Sequence, residues 1–426
     1  MNINYSEKQS IRLLKELVRI NTTNEDATEF EAAFLLKEIL DEANIDSEII
    51  YSPNGRANLV AKLKANNPEE NPLVLLSHLD VVSHGGKRWT HPPFSGKLAD
   101  EMIWGRGTLD TKQLTIMHLI SLLNLVESKT PLNRDVYFVA TADEENGGKE
   151  GMEFLASSRP ELFLNATVLS EGGGFTVKTN SENHYMLYAA GEKGTARIKL
   201  VGKGDSGHAG SPPANQAVFN LSLALQKIIQ DNHHKAQYPI LNRFEVVFKD
   251  ELNDDKNKDE IYYKLFEYMR EQTYSVDLLN VGDQINAIPY KGEVTLEFRT
   301  LPATTEEEFS EYMYKVLEGE QITWELVYFQ QGYESEIESK VIQLFKKHSP
   351  DCGFSGQWVP FTALGRTDGR FISKLAKDIY GLSPVTIPFK DVLQRVHQVD
   401  ERIEVDAFLY GVSLMKKVVY DYCIKS

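Results

Sequence analysis

PLVLLSHLDVV, residues 72–82, carries an unbroken apolar run into a histidine and an aspartate, His78 and Asp80. A short run that is apolar at every position, rather than at alternate ones, reads as a strand covered on both faces. DVYFVATAD (135–143) and ATVLSE (166–171) have the same character and also end in acids. Two shorter strand-like runs, SEIIYS (47–52) and ANLVAKL (57–63), precede them. Helical patterns alternate with these runs. Ser6 and Gln9 form a capping box ahead of an amphipathic run over 11–18, a second helix is expected over 27–42, and a third from about 111 to 126. The expected class is α/β, with a central mixed β-sheet flanked by helices. In open sheets of this kind ligands bind beyond the carboxyl ends of the strands.

The polar residues gather at those ends. His78 and Asp80, two apart, would point to one side of their strand. Asp110 follows the two glycines of WGRGTLDTK (104–112), Glu144 and Glu145 are adjacent in VATADEENGG (139–148), and Glu171 precedes three glycines. His397 stands in RVHQVDERI (395–403). Two imidazoles and several carboxylates are the donors that zinc takes first, with cobalt or manganese possible. One carboxylate more than a single ion needs suggests two ions sharing a group. Each motif also has a plainer reading: an interior histidine beside a strand-end acid, Asp110 as the cap of the following helix, an acidic turn at DEEN and a glycine-rich turn after Glu171. Their joint occurrence in order at strand ends favours the metal reading.

Near Gly191 the pattern changes. TARIKLVGKG (195–204) alternates, a helix is expected from about 213 to 229, and SVDLLNVGDQINAIP (275–289) and GEVTLEFRT (292–300) are strand-like. The charge run DELNDDKNKDE (250–260) reads as a solvated loop or helix face. A small α+β domain over 191–303 is therefore expected as an insertion between two parts of the first domain, 1–190 and 304–426. Thr305 and Glu308 form a capping box that reopens the second part. The 426 residues include 46 Lys+Arg and 62 Asp+Glu, a formal charge of −16, which argues against nucleic-acid and anionic-membrane partners. Two cysteines and the lack of a signal-like or spanning apolar run lead to the expectation of a cytoplasmic protein.

Taken together, SHLDVV, Trp89 with PPFSGKLADEMIWGRGTLDTK (92–112), TADEENGG, SEGGG, GHAGSPP (207–213), NAIP (286–289) with EFR (297–299), GRTDGRF (365–371) and HQVDERI resemble the co-catalytic zinc peptidase family. That family includes carboxypeptidase G, carboxypeptidase S, aminoacylase and succinyl-diaminopimelate desuccinylase. The resemblance implies that His78 and Glu171 hold one divalent ion, Glu145 and His397 a second, and that Asp110 bridges them. Asp80 would orient His78, and Glu144 would be the general base. The inserted domain would act as lid and homodimer interface. His208 would reach the partner's site to stabilise the oxyanion, while Asn286 and Arg299 would hold the substrate. Thr367, Asp368 and Arg370 fall in a segment similar to the family's substrate loop. Gly365-Arg366 departs from a frequent Gly-Gly, and Gln113 stands where glycine is frequent, which bears on specificity.

The expected activity is amide hydrolysis in small carboxylate-bearing substrates, dipeptides or short peptides first and N-acyl amino acids second. An idle metal-binding dimer is the reading from a different class. It is disfavoured because every expected ligand and the base are filled. His84, His91, His118, His184, His233, His234 and His348 lack such context, and Trp358 and Phe361 read as core.

Overall fold

The computed structural model describes residues 6–24, 28–86, 88–231 and 237–425. His233, His234 and the expected start of the second helix at Ala27 lie outside them. Both expected capping boxes form, Ser6 with Gln9 ahead of Glu7–Arg19 and Thr305 with Glu308 ahead of Glu306–Val316.

Among the described residues, ten strands form one mixed sheet. Leu73–His78 lies at its centre, parallel to Val136–Thr141 on one side and to Thr167–Ser170 on the other. All side chains of these three strands are buried, which is why their sequences are apolar at every position. Ala57–Leu63 and Asp46–Tyr51 continue the sheet antiparallel. Asp378–Gly381 extends the other side in parallel with Thr167–Ser170. The helix Lys112–Ser128 is buried around nearly its whole circumference, packed against the central strands and Val405–Cys423, so it lacks an amphipathic stripe. Trp358 and Phe361 are core residues. No helix among the described residues is long and apolar enough to cross a membrane.

A second, four-stranded antiparallel sheet follows the order Thr273–Val281, Lys291–Thr300, Gly194–Lys203, Ile322–Gln330. Its central pair alternates buried and half-exposed positions in register, Ala196 opposite Phe298 and Ile198 opposite Leu296. The helices Ala217–Gln230 and Glu306–Val316 supply Leu221, Ala224, Phe309 and Met313 to the covered face. Its fourth strand and second helix come from beyond residue 303, because ITWELVYFQ has the alternation a half-covered strand needs. Conversely, the helices Pro239–Val247 and Ile261–Arg270 pack on the large sheet through Ile240, Phe244, Leu265 and Met269. The acidic run between them is exposed apart from the buried anchors Glu251 and Asn257 and the half-buried Leu252 and Glu260.

Candidate metal centre

His78 closes the central strand, and the next turn aims its imidazole at two acids from other elements. Nε2 lies 3.1 Å from Asp110 Oδ1 and 3.5 Å from Glu171 Oε2. The other carboxylate oxygen of Asp110, Oδ2, is 3.1 Å from His397 Nε2, which in turn is 3.1 Å from Glu145 Oε2. Two donor groups result, His78–Asp110–Glu171 and Asp110–Glu145–His397, each with its atoms within 4.8 Å of one another. Asp110 belongs to both. The helix after it is capped at Thr111, so Asp110 is not the cap and its carboxylate is free to face both imidazoles.

Backbone geometry brings these groups together. Asp143 and His397 hold left-handed backbones, with φ 65° and 61°, a conformation that in non-glycine residues concentrates at functional sites. Beyond Glu171, a Cβ on Gly173 would meet Gly381 O at 2.4 Å and Ala189 N at 2.6 Å, so the chain passes only as glycine.

Asp80 contributes differently from the expectation. The nearest contact of His78 Nδ1 is the Asp80 main-chain carbonyl at 2.9 Å, with the carboxylate at 3.6 Å. Either contact selects the tautomer that leaves Nε2 free. The Asp80 carboxylate chiefly accepts the backbone N–H groups of Glu144 and Glu145, at 3.1 and 3.0 Å, and the Asn24 amide at 3.0 Å. It thereby holds the two adjacent glutamates in place.

Burial, reinforced by Glu171, holds the Glu144 carboxyl well above the ordinary carboxylate range. Burial first and Asp110 second push Glu145 up to about 7, and burial raises Glu171. Hydrogen bonds to Asp110 and Glu145 draw positive charge onto His397, raising it to about 10. Crowded, desolvated acids that repel one another and recruit charge onto imidazoles are a donor set short of cations. Two divalent ions fit it: the donors are oxygen and imidazole nitrogen, each group has three, and one carboxylate serves both.

The remaining expected residues fall into two sets. Thr367 lines the cavity of about 260 Å³ that borders both donor groups. Asp368 lies beneath it, accepting from Thr141 Oγ1 at 2.7 Å and pushed up by burial to about 6. Arg370 is buried, donating to Thr367 O at 2.7 Å and Gly147 O at 3.1 Å, with Nη1 3.8 Å from Glu144 Oε1. The other set lies outside the cavity lining, Arg299 on the second sheet and His208 and Asn286 at a separate two-stranded ribbon. His208 is exposed on a two-residue strand opposite Ala287, Asn286 is exposed beside it, and Arg299 pairs with Glu297 at 2.9 Å.

Sequence reasoning missed a support. Glu401 is fully buried; one oxygen accepts from Leu109 N–H at 2.8 Å and Asp110 N–H at 3.3 Å, and the other meets Arg106 Nη1 at 2.7 Å. Both partners lie inside the quoted motifs WGRGTLD and HQVDERI, but nothing in either motif says that they meet.

Residues 74–421 match the profile of Peptidase family M20/M25/M40. Human N-fatty-acyl-amino acid synthase/hydrolase PM20D1 is 24% identical over 382 residues, 84% of this chain and 75% of that protein. A probable succinyl-diaminopimelate desuccinylase of Staphylococcus aureus is 25% identical over 432 residues, 98% of each chain. Among solved structures, an M20 family metallo-carboxypeptidase from Sulfolobus solfataricus superimposes with a TM-score of 0.73 at 17% identity, covering 97% of this chain and 99% of the other.

Proposed function

The chain belongs to Peptidase family M20/M25/M40 and is a metal-dependent amide-bond hydrolase, and we propose that it cleaves dipeptides or short peptides bearing a free carboxylate through the base Glu144. The observation that carries this reading is the pair of donor groups sharing Asp110 with Glu144 beside them. His78 and Glu171 would hold one divalent ion, Glu145 and His397 the other, with Asp110 between, and zinc suits the donors. When bound, such a pair supplies Lewis acidity and lowers the pKa of water.

The protein's own part is proton transfer and positioning. A Glu144 carboxylate oxygen takes a proton from the attacking water as its oxygen bonds to the amide carbon. The same oxygen returns the proton to the nitrogen as the C–N bond breaks. Asp80 fixes Glu144 by its backbone N–H, and Arg370 Nη1 stands 3.8 Å from its Oε1. Arg370 therefore orients the base and screens the acids around it.

Arg299 acts in this reading from the second sheet and Asn286 and His208 from the two-stranded ribbon, His208 on the partner's site in a homodimer. Its support is an edge that no further strand among the described residues pairs with: Thr273–Val281 borders the four-stranded sheet, and Leu278 and Leu279 are about 60% exposed. The lid is then the unit built on that sheet, 194–330 without the helices of 239–270.

N-acyl amino acids present the same amide and carboxylate and form the second reading, favoured by the apolar part of the cavity lining, Phe389 and Val392 among it. Glu144→Ala should lower kcat on the order of 10²–10⁴-fold with metal content unchanged. Retained turnover would remove Glu144 as the base.

A further inference from the structure

Arg366 lines the same cavity as the two donor groups. Apart from the acids and His397 of the donor groups, the cavity lining includes an apolar set: Phe175, Leu364, Phe389, Val392, Leu393 and Val396. Phe175 and Phe389 stack with centroids 5.2 Å apart, giving that wall a rigid aromatic base.

The contacts that hold Arg366 are to a neutral group. Its Nη2 donates to the Tyr328 hydroxyl at 3.3 Å, and its guanidinium sits 5.6 Å from the same ring. Its Nε is buried without a hydrogen-bond partner among the described residues. Burial and the nearby guanidiniums of Arg370 and Arg299 disfavour its charge. Two acids favour that charge, and both are engaged elsewhere: Glu297 pairs with Arg197 at 2.7 Å and Arg299 at 2.9 Å, and buried Glu192 accepts from Thr367 N–H at 3.1 Å and Oγ1 at 2.8 Å. A half-desolvated cation short of a counter-ion, on the wall of a cavity, suits a carboxylate.

We propose that Arg366 captures the substrate's free carboxylate while the wall of Phe175, Phe389, Val392 and Leu393 takes an apolar chain, making this an enzyme for amides with one carboxylate and one apolar group. This rests on the amide-hydrolase reading above and narrows it. A second charge placed against the wall would be desolvated without a partner, so acyl groups that end in a charge are poor substrates.

The test uses zinc-loaded Glu144→Gln protein, which holds ligands without turning them over. Calorimetry compares N-acetylleucine, its primary amide and N-acetylglycine. The carboxylate should bind about 10- to 100-fold tighter than the amide, and the leucine compound about tenfold tighter than the glycine one. Adding Arg366→Gln should erase only the first preference, and Leu393→Asn, at a half-exposed position that tolerates change, should reduce only the second. Arg366→Lys should restore part of the carboxylate preference. Equal binding of acid and amide, no binding of either, or a carboxylate preference that survives Arg366→Gln overturns the proposal and leaves Arg366 as a tether to Tyr328. Hydrolysis by the parent enzyme is followed separately. Arg366-dependent binding with no amide cleaved would sink the amide-hydrolase reading and keep only the capture of a carboxylate by Arg366.

Discussion

Glu401 and Arg106 show how one buried pair can set a catalytic backbone. The carboxylate is sealed from solvent, neutralised by Arg106, and holds the N–H groups of Leu109 and Asp110. Removing its charge leaves a guanidinium buried without a counter-ion, which costs on the order of 3 kcal/mol. Glu401→Gln should lower stability by about that much in urea unfolding. It should also weaken metal binding about 10-fold or more, because the support of a ligand is lost. Unchanged metal affinity would separate this pair from the site. His78, Asp110, Glu145 and Glu171 were legible because each ends an apolar strand or sits in a glycine-flanked motif, and His397 as the late histidine that completes their donor set. Glu401, Asn24 and the carbonyl of Asp80 were not, since main-chain acceptors and contacts across hundreds of residues leave no local pattern.

At the scale of elements, the helix Lys112–Ser128 holds an unusual passenger. His118 is fully buried in it, neither ring nitrogen has a hydrogen-bond partner among the described residues, and burial pulls its pKa down to about 3. The unfolded chain binds a proton near the ordinary value of 6.5, while the folded one does not until far lower. Stability from this group is therefore complete above pH 6.5 and falls as the pH drops toward 3, by about 1.4 kcal/mol per pH unit. His118→Leu should shrink the loss of stability between pH 7 and pH 5 by about 2 kcal/mol, measured as urea midpoints at the two values. An identical acid limb in the variant would mean that the folded protein accommodates the charge. The helix itself was plain in sequence, as were the strands apolar at every position. The span 304–426 reads as one return to the first domain, whereas Ile322–Gln330 joins the second sheet, because alternation reports one covered face without saying which helices cover it. The helices of 239–270 likewise show an apolar stripe that fits either sheet.

The whole molecule poses the question of copy number. His208 stands on a separate two-stranded ribbon, opposite Ala287, and outside the cavity lining, so its proposed role depends on a partner subunit bringing it to the site. The exposed leucines of Thr273–Val281 give that partner an edge to pair with. Leu279→Asp should shift the protein to monomer in sedimentation, with metal content kept and activity lost. Complementation tests the same geometry. Mixing inactive Glu144→Ala and His208→Ala proteins under subunit exchange should restore about a quarter of wild-type activity, one intact site in half of the dimers. No recovery among demonstrated heterodimers would place His208 in its own subunit's chemistry or outside it.

The most direct measurement is a metal titration of chelator-stripped protein against a mixed panel of dipeptides, tripeptides and N-acyl amino acids, with cleavage followed by mass spectrometry. The account predicts that amide cleavage rises as two equivalents bind, and that Glu144→Gln binds both and stays silent. Full occupancy with every amide intact, or a Glu144→Gln protein as active as its parent, would contradict it.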